Sequence, residues 1–219
     1  APLISLLILL AFGVFADYAL DAFVQLILIY LLINMILGMS LNLVNGFTGQ
    51  FSLGHAGFMA VGAYVSAFLS FSVPTLSGTL SFFALPCFAL AGGIVAAGAG
   101  WLVGQPSLRL RGDYLAIVTL GFGEIIRVIL LNTPAVGGAR GYYGIPGPAD
   151  WDLGFITISK FMIGYSQALI WVLICFFMIS RLVRSAHGRA FLSVREDEIA
   201  AEAMGINTTQ TKVRAFVLS

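Results

Sequence analysis

The apolar positions of this chain gather into long unbroken runs. They neither alternate as in a half-buried strand nor mark one stripe of a surface helix. The runs cover residues 3–16, 22–44, 56–73, 80–104, 114–133 and 161–180. A helix needs about 20 apolar residues to cross the hydrocarbon of a bilayer, and every run but the first reaches that length or nearly so. Asp17 and Asp21 close the first run. Residues 74–79 read as a turn, 105–113 as a basic loop, 134–160 as a long polar loop and 181–212 as a charged segment. A further span begins at 213, and AFVLS at 215–219 reads as the opening turns of a helix that carries on. The sequence is therefore expected to be part of a longer chain. The pattern predicts an all-α integral membrane protein, a multi-span transmembrane helix bundle forming a single domain over residues 1–219.

Composition sharpens this expectation. Hydrophobic residues make up 59% of the chain and charged residues 10%, with a mean hydropathy of +0.99, whereas a soluble domain carries roughly 25% charged residues. From Ala22 to Leu108 there is no Asp, Glu, Lys or Arg. A charge at the bilayer centre costs about 2.5–3.5 kcal/mol on insertion scales, so this stretch crosses the membrane more than once. The net charge of +1 and the lack of a basic run give no reason to expect nucleic acid. Cys87 and Cys175 lie inside apolar runs with no disulfide or metal spacing, and they read as small buried hydrophobes. Residues 1–16 lack the basic start and cleavage site of a signal peptide, so they read as a helix.

Lys and Arg in short loops set orientation. Arg109 and Arg111 lie in one loop; Arg181, Arg184, Arg189, Arg195, Lys212 and Arg214 lie at or near another, two spans later. Both loops are then cytoplasmic. The N-terminus is also expected inside, and Asp17, Asp21 and the loop 134–160 outside. In the run 80–104, Gly92, Ala96 and Gly100 recur every four residues beside a second row of Ala89, Gly93 and Ala97. Small residues so spaced let helix backbones approach closely in lipid.

Three features could carry function. The first is NGFTGQFSLGH at 45–55, polar and Gly-rich between two apolar runs. Irregular backbone at membrane depth is tolerated only against protein or a watery cavity, and such breaks build transport sites. Asn45, Thr48, Gln50, Ser52 and His55 are its candidate pathway or gate residues; the plainer alternative is a cytoplasmic turn. The second is Glu124 and Arg127, three apart on one helix face inside a span. They read as a structural ion pair or as part of a gate. The third is the cytoplasmic segment 188–214, in which Arg189–Met204 is expected as one short amphipathic helix. Phe191, Val194 or Arg195, Ile199 and Ala203 would share its apolar side, with Glu196, Asp197, Glu198 and Glu202 on the rest. Gly205 reads as its C-terminal stop and Asn207, with Gln210 three residues on, as the N-cap of the next helix. Such a helix docks a soluble partner or lies on lipid; its acidity argues against anionic lipid.

Four blocks, in order, carry a family resemblance: LNLVNGFTGQFSLGHAGFMAVGAYVSAFLS (41–70), LRGDYLAIVTLGFGEIIRVILLN (110–132), GGARGYYGIPGP (137–148) and GRAFLSVREDEIAAEAMGIN (188–207). The chain resembles the branched-chain amino acid permeases of bacterial ABC importers, closest to their M-type subunit. The resemblance implies a permease in the bacterial inner membrane, surrounded by lipid, that moves Leu, Ile or Val. It implies ABC ATPase subunits, a second, H-type permease and a periplasmic amino-acid-binding protein as partners. The last block would be the coupling helix that meets the ATPase, with Arg195, Glu196, Asp197, Glu198, Ala200, Ala201, Glu202 and Gly205 as contact candidates. Ala200, Ala201 and Gly205 fit the importer signature of EAA followed by Gly. Ile199 stands in the acid's place and Glu198 one residue early. The loop 137–152 would meet the binding protein.

The only lysines, Lys160 and Lys212, do not follow Gly, so the chain holds no P-loop. ATP and Mg are expected on the partner ATPase. No cofactor, metal or catalytic group is expected on this chain. Close relatives that move urea or short amides are the main alternative. An ion-coupled carrier relaying charge through His55, Glu124 and Arg127 is a weaker one. An intramembrane enzyme is poorly supported with two His 132 residues apart, at 55 and 187.

Overall fold

The computed structural model describes residues 2–72, 79–107, 113–145, 151–152 and 157–219, with side chains described from 9 in the first helix, 84 in the fourth, 114 in the fifth and 158 in the last stretch. The chain runs α1 Pro2–Ala19, α2 Ala22–Asn42, a π-helical turn Leu43–Phe47, α3 His55–Ser72, α4 Thr79–Ser107, α5 Asp113–Asn132, α6 Lys160–Val183, α7 Ala186–Glu196, α8 Glu198–Ala203 and α9 Thr208–Leu218. Between α5 and α6 stand two single 3-10 turns, Pro134–Val136 and Gly138–Arg140, and a two-residue antiparallel ladder with Trp151 opposite Ile158. The expected turn at 74–79 and the loop arginines Arg109 and Arg111 lie, wholly or nearly so, outside the described residues.

Among the described residues, five helices are long and apolar enough to cross a membrane: Ala22–Phe47, His55–Ser72, Ala84–Ser107, Tyr114–Asn132 and Lys160–Val183. Each matches a sequence run to within a few residues. The second span is longer than the expected 22–44 because the π-turn continues it. The architecture is thus the expected all-α multi-span bundle, and it is turned inside out. Phe23, Ile94, Leu102, Phe176 and Phe177 stand exposed on the outside, where lipid takes the place of a core.

Helices pack as two groups. α1, α2 and α6 enclose Ala16, Leu32, Phe161, Tyr165 and Leu169. α3 lies along α4, where Gly92 meets the Gly62 backbone and Ser66 Oγ sits 2.9 Å from Gly62 O and 3.0 Å from Phe88 O. The small-residue row through Gly92 is therefore a packing seam. The other row, Ala89, Gly93 and Ala97, lines an open cleft of about 570 Å³ together with Ala96 and Gly100 of the first row and with Ser40, His55 and Phe216.

The two ends of the bundle differ. At one end Ser159 Oγ donates to Asp17 Oδ1 at 2.7 Å, and Gln25 Nε2 donates to the Asp17 and Leu20 carbonyls. Tyr142 stacks on Phe71 nearby. At the other end the π-turn meets α7, and Gly100 of α4 faces Phe216 of α9. Asp17 and the start of α6 share an end, as the alternation of spans requires.

α3 and α5 cross on glycine. A Cβ on Gly57 would lie 2.8 Å from Gly123 Cα, whereas one on Gly121 would meet nothing within 4 Å. Overpacking a close contact costs about 1–3 kcal/mol, while Gly to Ala on an open helix face gains roughly 0.5–1 kcal/mol. Gly57→Ala is therefore expected to lower the melting temperature of the purified protein in detergent, and Gly121→Ala to leave it unchanged or raise it.

Candidate functional site

The break at 43–54 is built from local and distant partners. Five π-helical residues loosen the end of α2, a distortion common where helices carry function. Thr48 Oγ1 donates to Val44 O at 2.7 Å and Gln50 N donates to the same carbonyl at 3.2 Å. Asn45 Oδ1 accepts from Ser52 N at 3.3 Å. Leu53 N donates across to Thr119 Oγ1 of α5 at 3.1 Å, and that hydroxyl donates to Ala116 O. Gly49 turns the chain at φ +67, and Gly54 lets it lie against Thr119, where a Cβ would come 2.5 Å from Thr119 O. No Cβ fits there without a shift.

These partners divide the sequence candidates. Asn45 and Thr48 spend their polar groups on holding the break. Gln50 and Ser52, each 5% exposed, do not: Gln50 Nε2 and Oε1 and Ser52 Oγ have no hydrogen-bond partner among the described residues. A buried group left unpaired costs about 1–3 kcal/mol, so these two side chains beside one helix break are set apart from the groups that hold it. His55 opens α3 with Nε2 3.1 Å from Ser40 Oγ. Ser40 Oγ itself donates to the Ser219 carbonyl, which leaves a lone pair for an Nε2–H of His55. His55 thus ties α2 to α3.

Glu124 and Arg127 form the expected pair. Arg127 Nε lies 3.0 and 2.9 Å from Oε1 and Oε2 of Glu124, and Nη2 lies 2.5 Å from Oε1. The side chains are 55% and 62% exposed on the outer surface of α5. The structure shows no contact between them and the unpartnered Gln50.

The cytoplasmic-segment expectation needs correction. Arg189–Met204 is not one helix. α7 starts earlier, with Ser185 as its N-cap, and ends at Glu196. Asp197 leaves the helical region at φ −154, ψ 112, and its Oδ1 accepts from Ile199 N at 2.9 Å and Ala200 N at 3.1 Å, so it caps a second helix, α8. An Asp carboxylate competes for backbone N–H groups and here wins over helix continuation. The single apolar side fails with it. Phe191, Val194 and Ala201 are buried, whereas Ile199 and Met204 are exposed beside Glu202 and Ala203. Gly205, at φ +84, ends α8, and Asn207 Oδ1 accepts from Gln210 N at 2.9 Å, both as read from the sequence. α9 accordingly begins at Thr208, ahead of the apolar run at 213.

Two contacts were not foreseen. Lys212 Nζ of α9 donates to Glu198 Oε1 of α8 at 2.8 Å, with the lysine side chain only 7% exposed. Arg195 Nη1 donates to Gly46 O at 3.0 Å while its Nε and Nη2 reach Glu196 Oε1 at 3.1 and 2.5 Å. A lysine placed fourteen residues after an acid gives no periodic signal, and a carbonyl acceptor gives none at all. Thr119 could have been suspected as one of the few polar residues inside its span.

Together these features define a multi-pass membrane protein in which the span Ala22–Phe47 ends in a buried polar interruption, with a pair of charged helices packed against that interruption. Residues 23–219 match the family described as branched-chain amino acid transport system, permease component, and the chain belongs to that family. It is 43% identical over 209 residues to the high-affinity branched-chain amino acid transport system permease protein LivM of Salmonella typhimurium, covering 86% of this chain and 47% of that protein. The LivM protein of Escherichia coli is 42% identical over the same length and shares. A probable branched-chain amino acid transport permease protein LivM of Methanocaldococcus jannaschii is 29% identical over 132 residues, 57% of this chain and 36% of that one. The chain spans about half the length of the first two relatives. No solved structure matches it.

The Lys212–Glu198 pair gives a test of the packing of α8 on α9. Breaking a buried pair by removing one partner costs about 3–5 kcal/mol, while replacing both with apolar residues is near neutral. Glu198→Ala is expected to lower the melting temperature clearly, and the double variant Glu198→Leu, Lys212→Met to recover most of the loss.

Proposed function

We propose that this chain provides the membrane path of an ATP-driven importer for the branched-chain amino acids Leu, Ile and Val in a bacterial inner membrane. The observation that carries the reading is the buried, unpartnered polar pair Gln50 and Ser52 at an interrupted span, in a chain of the branched-chain permease family. An amino acid brings an ammonium group that needs acceptors and a carboxylate that needs donors. A carboxamide and a hydroxyl each offer both. The branched side chain asks only for apolar walls. The names of the Salmonella and Escherichia relatives support the same substrate class.

In this reading the chain performs no catalysis. ATP and Mg bind to separate ABC ATPase subunits, which dock on the exposed tip formed by Asp197, Ile199, Ala200, Glu202 and Met204. An H-type permease completes the path, and a periplasmic binding protein delivers substrate at the end that carries Asp17 and Arg140. The N-terminus and α7–α9 then lie in the cytoplasm. The cluster of Arg181, Arg184, Arg189, Arg195 and Arg214 near that end favours this orientation under the positive-inside rule.

The test is uptake of radiolabelled leucine into membrane vesicles holding the full-length protein with its ATPase, partner permease and binding protein. ATP-dependent uptake, competed by isoleucine and valine, is expected. ATP-dependent uptake of urea or a short amide alone would replace the substrate, and uptake without ATP would replace the mechanism with ion coupling. Gln50→Leu is expected to lower leucine uptake by about tenfold or more while holding or raising the melting temperature, since it removes a buried unpaired amide worth about 1–3 kcal/mol. Unchanged uptake in that variant would remove Gln50 from the path.

A further inference from the structure

The cytoplasmic helices and the interrupted span are joined at one residue. Arg195 sits in the last turn of α7, one helix turn past Phe191. Phe191 is packed with Leu43 of the π-turn and Ala215 of α9 in a single buried cluster. From that fixed base the Arg195 guanidinium donates to Gly46 O, inside the π-turn. Its aliphatic stem covers the next bend. A Cβ on Gly49 would lie 2.6 Å from Arg195 Cγ, 3.4 Å from its Cβ and 3.5 Å from its Cα. Gly49 therefore has no side chain where the arginine stem lies, and its φ of +67 is one that glycine adopts readily. Gln50, with its unpartnered carboxamide, is the next residue.

We propose that Arg195 is a positioning residue that latches the helix break to the cytoplasmic segment, so that a displacement of α7 reaches Gln50 and Ser52 through Gly46 and Gly49. A π-turn leaves carbonyls without their usual helical donors, and Gly46 O takes its donor from a charged side chain on another helix. Hydrogen bonds of that kind are roughly twice as strong as neutral ones. The opposite wall is held differently: Leu53 N is fixed to Thr119 of α5. The segment 47–53 is thus strung between a span and the cytoplasmic helices. A shift of α7 relative to α5 must change its shape. Glu196 steadies the guanidinium from the same helix, with Oε1 2.5 Å from Nη2. The proposal rests on the importer reading for its meaning in transport; the latch itself can be tested without it.

The experiment uses the full-length protein with every native cysteine, Cys87 and Cys175 included, replaced by Ala and a single reporter, Ser52→Cys, buried in the break. A membrane-permeant maleimide reads access to that thiol. Arg195→Met retains an apolar stem over Gly49 and removes the donor to Gly46. It is expected to speed labelling by about tenfold or more, the loss of one charge-assisted hydrogen bond. Arg195→Lys keeps a donor and is expected to stay within about threefold of the parent. Equal labelling in all three would overturn the latch. In the assembled complex without the reporter, leucine moved per ATP hydrolysed is expected to fall by about tenfold in Arg195→Met. Uptake and hydrolysis falling together in fixed proportion would reduce Arg195 to a packing residue. Should the parent complex show no ATP-dependent uptake, the importer reading fails and the labelling contrast alone decides the latch.

Discussion

Backbone hydrogen bonding governs this structure. In hydrocarbon no water is at hand, so each N–H and C=O must find a partner in the protein. The long spans meet the demand within themselves. The stretch from Leu43 to Gly54 does not, and the molecule is arranged around supplying it. Val44 O takes Thr48 and Gln50; Ser52 N goes to Asn45; Leu53 N goes to Thr119; Gly46 O goes to Arg195. Two of those partners come from helices far along the chain. The close approach that lets them reach depends on glycine at 49, 54 and 57. Against this provision for the backbone, two side chains left unpaired in the same few residues are conspicuous.

The same economy explains the division of labour among polar residues. Asn45, Thr48, Ser40, His55 and Thr119 all serve the scaffold through hydrogen bonds to neighbouring backbone or to each other. Lys212 and Glu198 serve it through charge, pinning α8 onto α9. Gln50 and Ser52 stand apart within the bundle, their polar side-chain atoms without partners among the described residues, and outside it Ile199 and Met204 stand exposed at the two ends of α8.

Much of the fold was legible in the sequence. Runs of apolar residues locate spans because length is the constraint a bilayer imposes, and every described span falls within a few residues of its run. Gly205 and Asn207 were readable because caps are local: an αL glycine and an Asx side chain act within a turn or two. Asp197 carries the same kind of signal, yet the apolar spacing of Phe191, Val194 and Ile199 suggested one continuous helix. The competing backbone bond of the carboxylate decided otherwise. At the break, composition exposed the irregularity but could not sort its residues. Asn45 and Gln50 have near-identical chemistry, and only the position of Ser52 N beside Asn45 separates the structural one from the free one. The contacts of Arg195 and Thr119 left no local signal, since their partners are backbone atoms 149 and 66 residues away.

Those separations bear on how the protein is made. Gly46 emerges from the ribosome 149 residues ahead of Arg195, an interval on the order of 10 s at ordinary synthesis rates. During that time α2 and α3 are complete and apolar, while the segment between them lacks the acceptor it takes from α5 and the donor it takes from α7. The bonds that close the interruption from α5 and α7 are therefore late ones, made only when chain synthesised 66 and 149 residues further on comes to lie against it.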